Sequence, residues 1–344
     1  MSDTGMSATQ PNPGIIFETI NAYQRSAALQ AGIELDLFSE IGRGTNSVDA
    51  LGRALKASPR GVRILCDYLV VQGFLTKGSS GYGLTIDSGM FLDRGSPAYF
   101  GSVATFLLDP RLTAPFASLA EVVRTGTTTL PGEGTVSADN PVWVVFAKEM
   151  APMMWPVAGD VAEMLQSEGE MRVLDIAAGH GLFGIAVAQK SPKARITALD
   201  WPNVLAVAKE NAQKMGVAER HTLLPGDAFT TDFGGPYDVV LVTNFFHHFD
   251  KPTCETLMRK MHRALTPGGC CVTLDFVPNE DRVSPAMPAE FALMMLGTTA
   301  AGDAYTFSEY QEMFGNAGFA SSKMHPPLRP GGALIVSQRG ELQA

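Results

Sequence analysis

The first part of the chain repeats apolar positions with the period of an α-helix. Between Ile15 and Phe38 the apolar side chains are spaced three or four residues apart, at Ile16, Ile20, Tyr23, Ala27, Ala31 and Leu35. This spacing predicts one amphipathic helix whose apolar face needs a partner surface. Residues 1–13 lack the pattern, and we interpret them as a flexible tail.

The next elements have the order of a winged helix. Ser47 and Ser58-Pro59 each predict the start of a short helix, and the Gly-rich segment 78–85 predicts a two-stranded hairpin. Many winged helices read DNA, which requires cations that neutralise phosphates. The helix that would enter the groove offers only two arginines. We therefore expect residues 14–97 to form a dimerisation domain.

The second half of the chain alternates apolar, strand-like runs with helical stretches. This pattern is typical of an α/β fold with helices on both faces of a parallel sheet, and helices of crossover length are expected between the first five strands. Residues 98–168, with helical stretches at about 98–125 and 141–166, are expected to link the two parts and to roof a substrate crevice. The predicted strands are 172–176, 195–199, 221–224, 237–243, 270–276, 320–324 and 333–338.

Composition narrows the classes of function. Of 344 residues, 45% are hydrophobic and 18% are charged, which fits a globular chain and neither a disordered nor a fibrous one. The net charge is −9 with only 26 basic residues, so we expect no nucleic-acid partner. The four cysteines show no C-x-x-C spacing, and no apolar run reaches membrane-spanning length. We expect a cytoplasmic protein without a membrane segment.

A glycine-rich turn follows the first strand of the sheet. Gly179 and Gly181 let the backbone approach a ligand, and the next helix offers free N–H groups. With Gly184 the segment also fits the G-x-G-x-x-G pattern of a dinucleotide site, so a nicotinamide-dependent reductase is an alternative. Asp175, just before the turn, argues against it, because a carboxylate repels pyrophosphate and attracts a cationic ammonium or sulfonium group.

Two further carboxylates follow the next two strands. Asp200 can accept hydrogen bonds from both hydroxyls of a ribose, and Asp227 can accept one from an adenine amino group. A single Asp at a strand end is as often a turn former or a helix cap. Together with Asp175, the set predicts a site for S-adenosylmethionine.

Two adjacent histidines follow the fourth strand, at the edge where an open α/β sheet binds its ligands. A phenol, with a pKa of about 10, is a poor nucleophile until a base takes its proton. We predict that His247 is this base. A structural role at the start of a helix is the alternative, and it is favoured for His248. No third histidine or carboxylate lies at ligand spacing, so no metal is expected.

At these residues the chain resembles the small-molecule O-methyltransferases of the hydroxyindole and caffeate type, which use S-adenosylmethionine. The resemblance implies a winged-helix domain that forms an intertwined homodimer, and a Rossmann-like, seven-stranded methyltransferase domain in residues 169–344. It covers nearly the whole chain and rests on Ala28–Phe38, Gly73-Phe-Leu, Leu119–Gly126, Phe146–Met150, Val173–Gly181, Asp200-Trp-Pro, Gly226-Asp-Ala-Phe, His247 with Phe249-Asp250, Leu265-Thr-Pro-Gly-Gly, Tyr305-Thr and Gly318-Phe.

The resemblance also implies roles for single residues. His247 would be the catalytic base, with Asp275 and Asp303 as the candidate carboxylates beside it. The family's second carboxylate position is Ala304 here and Asp303 lies one residue out of register, so the imidazolium would gain less stabilisation. The cofactor-binding residues predicted are Asp175, Ala177, Gly179, Gly181, Asp200, Trp201, Gly226, Asp227, Ala228, Phe229 and Asn244.

Methionine is frequent, at 16 residues, and many of these lie in two segments expected to roof the crevice. Methionine is most often core filler, but its flexible thioether also suits a flat aromatic or polyketide-like acceptor. We expect O-methylation of a small aromatic hydroxyl compound. The alternatives are a family member that binds the cofactor for decarboxylation or hydroxylation, and a winged-helix regulator that senses it. The substrate residues predicted are Phe106, Met150, Met154, His248, Phe291, Met294 and Met295.

Overall fold

A computed structural model describes residues 11–137, 140–325 and 332–341. The chain folds into two compact units, one ending at Ala104 and the other beginning at Thr105. The predicted tail, residues 1–13, lies largely outside the described residues, and its last three positions are exposed.

The first unit consists of helices and one hairpin. Ser47 and Ser58 each accept a hydrogen bond from the backbone N–H three residues on, which starts the two helices expected there. The antiparallel hairpin follows, so the predicted winged-helix order of elements is observed. The elements are α1 (Gly14–Glu34), α2 (Leu37–Gly42), α3 (Val48–Ala54), α4 (Pro59–Val71), β1 (Leu75–Gly78), β2 (Gly81–Leu84) and α5 (Ile86–Phe91).

The single helix predicted from Ile15 to Phe38 is wrong only in its last four residues, because α1 ends at Glu34. Asp36 adopts the left-handed conformation with φ 59°, and its carboxylate accepts from Arg43 at 2.9 Å. The chain therefore turns between α1 and α2, which buries Leu37 and Phe38 completely in the core of this unit. If α1 continued straight through these positions, Leu37 and Phe38 would not reach that core and would lose the stabilisation that burial provides.

The apolar face of α1 is exposed in the single chain. Ile15, Ile16, Phe17, Ile20 and Tyr23 each keep more than half of their surface accessible. The rest of its own unit therefore does not cover the first half of α1.

The second unit begins with short helices. The two long helical stretches expected at 98–125 and 141–166 are divided, because Pro110 and Pro115 begin new turns in the first stretch and α9 ends before Ala151 in the second. The elements are α6 (Val103–Leu107), which crosses the unit boundary, α7 (Pro110–Thr113), a 3₁₀ turn (Ala114–Ser118), α8 (Leu119–Thr125), α9 (Val142–Glu149) and α10 (Ala151–Met164).

A sheet with crossover helices follows. The strands are β3 (Met171–Ile176), β4 (Ala194–Asp200), β5 (His221–Pro225), β6 (Tyr237–Thr243), β7 (Leu265–Asp275), β8 (Ser321–His325) and β9 (Ala333–Gln338), so each predicted strand is observed, within a few residues at its ends. The helices are α11 (Leu182–Lys190), α12 (Pro202–Lys214), α13 (Lys251–Ala264), α14 (Ala286–Thr298) and α15 (Phe307–Asn316), with 3₁₀ turns at Ala218–Arg220 and Phe246–His248.

Strand order places the ligand edge. Within the described residues the sheet has seven strands in the order β5-β4-β3-β6-β7-β9-β8, parallel as far as β7 and antiparallel in the last two pairings. The predicted α/β, Rossmann-like fold class is therefore confirmed. The chain reverses direction across the sheet at β3, so the carboxyl ends of β3, β4 and β6 border one crevice.

A crossover helix was expected between each of the first five strands, but residues 226–236, between β5 and β6, form turns instead. Among the residues described, none of the helices combines the length and apolar composition that crossing a membrane requires.

Candidate functional site

The turn after β3 is a tight left-handed loop. Ala177, Gly179 and Gly181 have φ values of 53°, 57° and 73°, a region that glycine adopts at little cost. A Cβ on Gly181 would also lie 2.9 Å from the Cβ of Ala208, so glycine there lets the start of α11 pack on α12. The glycines of this turn therefore lie where a side chain would be strained or crowded.

Asp175 lies at the end of β3 and is fully buried. One carboxylate oxygen accepts the backbone N–H of Gly184 at 3.1 Å, and the other has no hydrogen-bond partner within the described part of the chain. Burial and the nearby Asp200 raise the pKa of Asp175 to about 7. A buried carboxylate with a spare oxygen is the kind of group that a cationic ligand satisfies.

Asp200 ends β4 and faces the glycine turn. Its carboxylate accepts the N–H of Gly179 at 2.8 Å and that of Trp201 at 2.7 Å, and burial raises its pKa to about 6. Asp227 follows β5 and accepts the N–H of Phe229 at 2.7 Å. The three predicted carboxylates therefore come from three adjacent strands at one edge of the sheet.

His180 lies between the two glycines of the turn and packs against aromatic rings. Its ring is buried, stacks on Phe146 with centroids 5.9 Å apart, and accepts the N–H of Leu182 on Nδ1 at 3.2 Å. Burial lowers the pKa of His180 to about 4, so the ring is neutral. The ring therefore packs as a neutral, buried side chain beside the turn.

His247 is held by Asp275. The Nδ1 of His247 and a carboxylate oxygen of Asp275 are 2.5 Å apart, and both side chains are at least 95% buried. The histidine lies in the 3₁₀ turn after β6, and the aspartate ends the neighbouring strand β7. Tyr310 donates its hydroxyl to the other carboxylate oxygen of Asp275 at 2.8 Å.

Asp303 contacts His247 through the backbone. Its N–H donates to the carbonyl oxygen of His247 at 3.0 Å, whereas its carboxylate accepts the N–H of Ala304 at 2.8 Å and faces Arg282 at 3.5 Å. Of the two candidate carboxylates, Asp275 is therefore the one whose side chain contacts His247, whereas Asp303 contacts it through its backbone N–H.

Aromatic rings line the region next to His247. Phe291, on α14, stands edge-on to the His247 ring at 4.8 Å and stacks on Phe276 at 3.8 Å. His248 is 4.2 Å from His247 and edge-on to Trp143 at 5.1 Å. The set continues along α9 and α6 through contacts of Phe146 with Trp143 and Phe106.

One methionine of the expected roof segments, Met154, contacts a residue at this edge of the sheet. The side-chain amide of Asn244, at the end of β6, is 3.9 Å from the sulfur of Met154. Met150, Met154 and Met295 are buried and Met294 is half-buried. These four predicted substrate residues therefore pack against other parts of the protein.

Comparison with known families decides the identity. Residues 117–320 match the O-methyltransferase domain, and residues 17–94 match the O-methyltransferase dimerisation domain. The chain belongs to the O-methyltransferase family. This confirms the family predicted from the sequence, and the chain is an S-adenosylmethionine-dependent O-methyltransferase.

Similar proteins match this methyltransferase over most of its length. The tetracenomycin polyketide synthesis 8-O-methyl transferase TcmO of Streptomyces glaucescens is 29% identical over 89% of this chain and 91% of its own. Acetylserotonin O-methyltransferase of Mus musculus is 26% identical, over 94% and 88%. The crystal structure of a provisionally assigned O-methyltransferase from Nostoc punctiforme is 50% identical with a TM-score of 0.93, over 96% and 100%.

Some site residues of the methyltransferase are missing from the sequence-based set. Trp143, Phe276 and Tyr310 have no motif of their own, because their neighbours are distant in sequence. Gly302 is another: a Cβ there would lie 2.3 Å from the carbonyl oxygen of His247. In the sequence, the only indication of a role for Gly302 is that it precedes Asp303 in a loop.

Neither a metal-binding cluster nor a reactive cysteine is found in the described part of the chain. Across residues 11–137, 140–325 and 332–341, no cluster of three or more His, Cys, Asp or Glu side chains could hold a metal ion. The four cysteines are free thiols, and burial raises the pKa of Cys66 to about 12 and that of Cys270 to about 11. These thiols stay protonated and inert at neutral pH.

Proposed function

We propose that this methyltransferase methylates a hydroxyl group of a small aromatic or polyketide-like molecule, with His247 as the general base. The observation that carries the proposal is the buried pair of His247 and Asp275, 2.5 Å apart. It lies between the strand ends that carry the cofactor carboxylates and an aromatic wall that includes Phe291 at 4.8 Å.

The residues around the glycine turn fit S-adenosylmethionine. Asp175 offers a buried, unsatisfied oxygen to a positive charge, and Asp200 offers acceptors for the ribose hydroxyls. Asp227 and Phe229 would take the adenine, and the turn at Gly179 would take the methionine part. When bound, the cofactor supplies an electrophilic methyl group on a sulfonium sulfur.

The role of His247 follows from its hydrogen bond. Because Asp275 accepts from Nδ1, that nitrogen carries the ring proton, and Nε2 is the free base that can take the hydroxyl proton of an acceptor. Asp275 then stabilises the imidazolium that forms. Removal of the proton turns a weak phenol nucleophile into a phenolate as the methyl group is transferred.

The lining supports an aromatic acceptor. Phe291, Phe276 and Trp143 offer ring faces and edges, and Met150 and Met295 offer polarizable sulfur. By their names, two relatives act in tetracenomycin polyketide synthesis and on acetylserotonin. We infer an acceptor of similar size with at least one aromatic hydroxyl.

We also propose that the enzyme is a homodimer formed through its dimerisation domain. The exposed apolar residues of α1, among them Phe17 and Ile20, are what a second copy would cover. Light scattering should give twice the mass of the chain for the wild type and a shift towards the single-chain mass for Phe17→Glu combined with Ile20→Glu. A monomeric wild type would refute this proposal.

The central test uses the methyl donor directly. Wild-type protein, His247→Ala and a control, His325→Ala, are incubated with isotopically labelled S-adenosylmethionine and a panel of phenols, flavonoids and aromatic polyketides, with transfer followed by mass. We expect transfer by the wild type and the control, and a loss of about 10²-fold or more in His247→Ala with unchanged cofactor affinity by calorimetry. Full activity of His247→Ala would reject the base assignment, and no transfer to any acceptor would reject the function.

A further inference from the structure

Tyr310 stands behind the pair that we assign to base catalysis. Its hydroxyl lies 2.8 Å from one carboxylate oxygen of Asp275, and the other oxygen of Asp275 lies 2.5 Å from Nδ1 of His247. Tyr310 and Asp275 have no exposed surface, and His247 keeps 4% of its own. The three side chains form one buried chain of hydrogen bonds.

The bond from Tyr310 differs from those of neighbouring tyrosines. Tyr305 donates to the carbonyl oxygen of Phe249 at 2.5 Å, and Tyr237 donates to that of Phe233 at 2.7 Å. Those bonds satisfy buried backbone groups. The bond from Tyr310 ends on an ionisable carboxylate that itself holds the catalytic imidazole, so it can change the chemistry of that imidazole.

The helix α15 fixes where the hydroxyl lies. Thr306 and Glu309 form a capping box at its start, with each side chain bonded to the backbone N–H of the other residue. Tyr310 is the next residue, and its ring packs against Phe246 and Phe314 at centroid distances of 6.2 and 6.4 Å. The tyrosine is therefore held in one position before any ligand arrives.

The other titratable side chains that adjoin His247 and Tyr310 are His248, Tyr305 and Cys254. His248 lies beside His247 with ring centroids 4.2 Å apart, and burial holds its pKa well below the usual value. Tyr305 and Cys254 lie near Tyr310, and burial raises the pKa of both. These neighbours stay uncharged near neutral pH, so the charge that Tyr310 meets is that of Asp275.

We propose that Tyr310 is a positioning residue of methyl transfer that acts through Asp275. By donating to the carboxylate, it fixes the orientation of Asp275 towards Nδ1 and draws part of its negative charge away from His247. The imidazole is thereby held in one orientation, in which it can take a proton. This inference rests on the proposed role of His247.

The expected direction can be derived from the two protonation states. The bond from Tyr310 is stronger when Asp275 faces a neutral ring than when it faces an imidazolium, because the imidazolium already neutralises the carboxylate. Loss of the hydroxyl therefore costs the neutral state more. Protonation of the pair then occurs at higher pH.

The test compares two isosteric variants, Tyr310→Phe and Tyr305→Phe, each of which loses one buried hydroxyl. In Tyr310→Phe the acid limb of the kcat/KM profile should move up by about one pH unit, with a loss of about tenfold on that limb and a smaller loss on the plateau. Tyr305→Phe should lower the whole profile, if at all, without moving its midpoint. An unmoved acid limb in Tyr310→Phe would overturn the proposal.

A second experiment avoids any problem of folding and of activity. 3-Fluorotyrosine at position 310 is a better donor, so the proton resonance of the His247 imidazole in the ligand-free protein should titrate at lower pH than in the wild type, and in Tyr310→Phe at higher pH. An unchanged titration would overturn the role of Tyr310. Titration as expected in a protein that transfers no methyl group would instead overturn the proposed function.

Discussion

The Nδ1 atom of His247 and a carboxylate oxygen of Asp275 are 2.5 Å apart in a site closed to solvent. His247 lies in the turn after β6, Asp275 ends the neighbouring strand β7, and the two residues are 28 positions apart in the sequence. In such a pair, the carboxylate sets the tautomer of the ring and stabilises its charged form.

Asp275→Asn should lower kcat/KM by about 10²-fold or more, since an amide neither favours the required tautomer nor balances the imidazolium. Asp303→Asn should cost far less, because the Asp303 carboxylate faces Arg282 and only its backbone N–H contacts His247. Steady-state rates with a common acceptor compare the two variants. A larger loss in Asp303→Asn would mean that the wrong carboxylate has been assigned.

Gly302→Ala should reduce turnover about tenfold and lower the free energy of unfolding by about 1–3 kcal/mol, because the new Cβ would lie 2.3 Å from the carbonyl oxygen of His247. The matched control is Gly315→Ala on α15, where a Cβ meets nothing within 4 Å. That change should stabilise the protein by about 0.5–1 kcal/mol without affecting turnover. Equal turnover in the two variants would contradict the close packing at Gly302.

Asp175→Asn should weaken cofactor binding and stabilise the ligand-free protein above neutral pH. Folding raises the pKa of Asp175 to about 7 from a usual 3.8, so the protonated form is favoured in the folded state. The corresponding stability is present below about pH 4 and is lost as the pH rises through 7. At pH 8 the variant avoids that loss, which is roughly 4 kcal/mol at most.

Denaturant unfolding of wild type and Asp175→Asn at pH 5 and pH 8 measures this difference. The control is Asp238→Asn, a half-buried carboxylate at the amino ends of the strands that accepts the N–H of Arg172 at 2.8 Å. It should leave cofactor affinity unchanged. An Asp175→Asn variant that is less stable at pH 8 than the wild type would reject the burial of an uncompensated charge.

Cofactor affinity should fall as the pH is lowered through about 6. Burial raises the pKa of Asp200 to about 6, and its protonated form is a poorer acceptor for the two ribose hydroxyls. Asp175, with a pKa of about 7, acts in the same direction. Calorimetry from pH 5 to 8 should give weaker binding at low pH in the wild type and a flatter dependence in Asp200→Asn. Tighter binding at pH 5 than at pH 8 would contradict both assignments.

Phe291→Ala should raise KM for an aromatic acceptor about tenfold while leaving cofactor affinity close to the wild-type value. The ring of Phe291 stacks on Phe276 and stands edge-on to His247, so its removal opens the aromatic wall. Leu293→Ala on the same helix is the control, because that side chain is 45% exposed. If KM rises equally in both variants, the wall lies elsewhere.

The sequence alone was sufficient to predict the seven strands of the second unit. The central strands β3 and β6 are mostly buried apolar runs, and such runs favour strand structure. The carboxyl ends of parallel strands meet at one edge, so Asp175, Asp200 and Asp227 could be grouped from their positions in the sequence.

Two predictions from the local sequence were wrong about where a helix lies. Asp36 ends α1 through a left-handed conformation, although the apolar period continues to Phe38. Residues 226–236 cross from β5 to β6 without a helix, although the strands on either side are parallel members of one sheet. At Asp36, burial of Leu37 and Phe38 outweighs local helix preference, whereas the glycines and the proline of residues 226–236 disfavour a helix.

Motif and strand order therefore determined which residues gather at the cofactor edge, because these properties depend on the local sequence and on the handed connections of parallel strands. Only the tertiary structure decided which acid holds His247. Asp275, Gly302 and Tyr310 reach that histidine from three segments separated in the chain, and no periodicity encodes a contact between distant segments. The contact forms because β7, α15 and the loop before α15 pack around one buried imidazole, where polar side chains are stable only when they bond to one another.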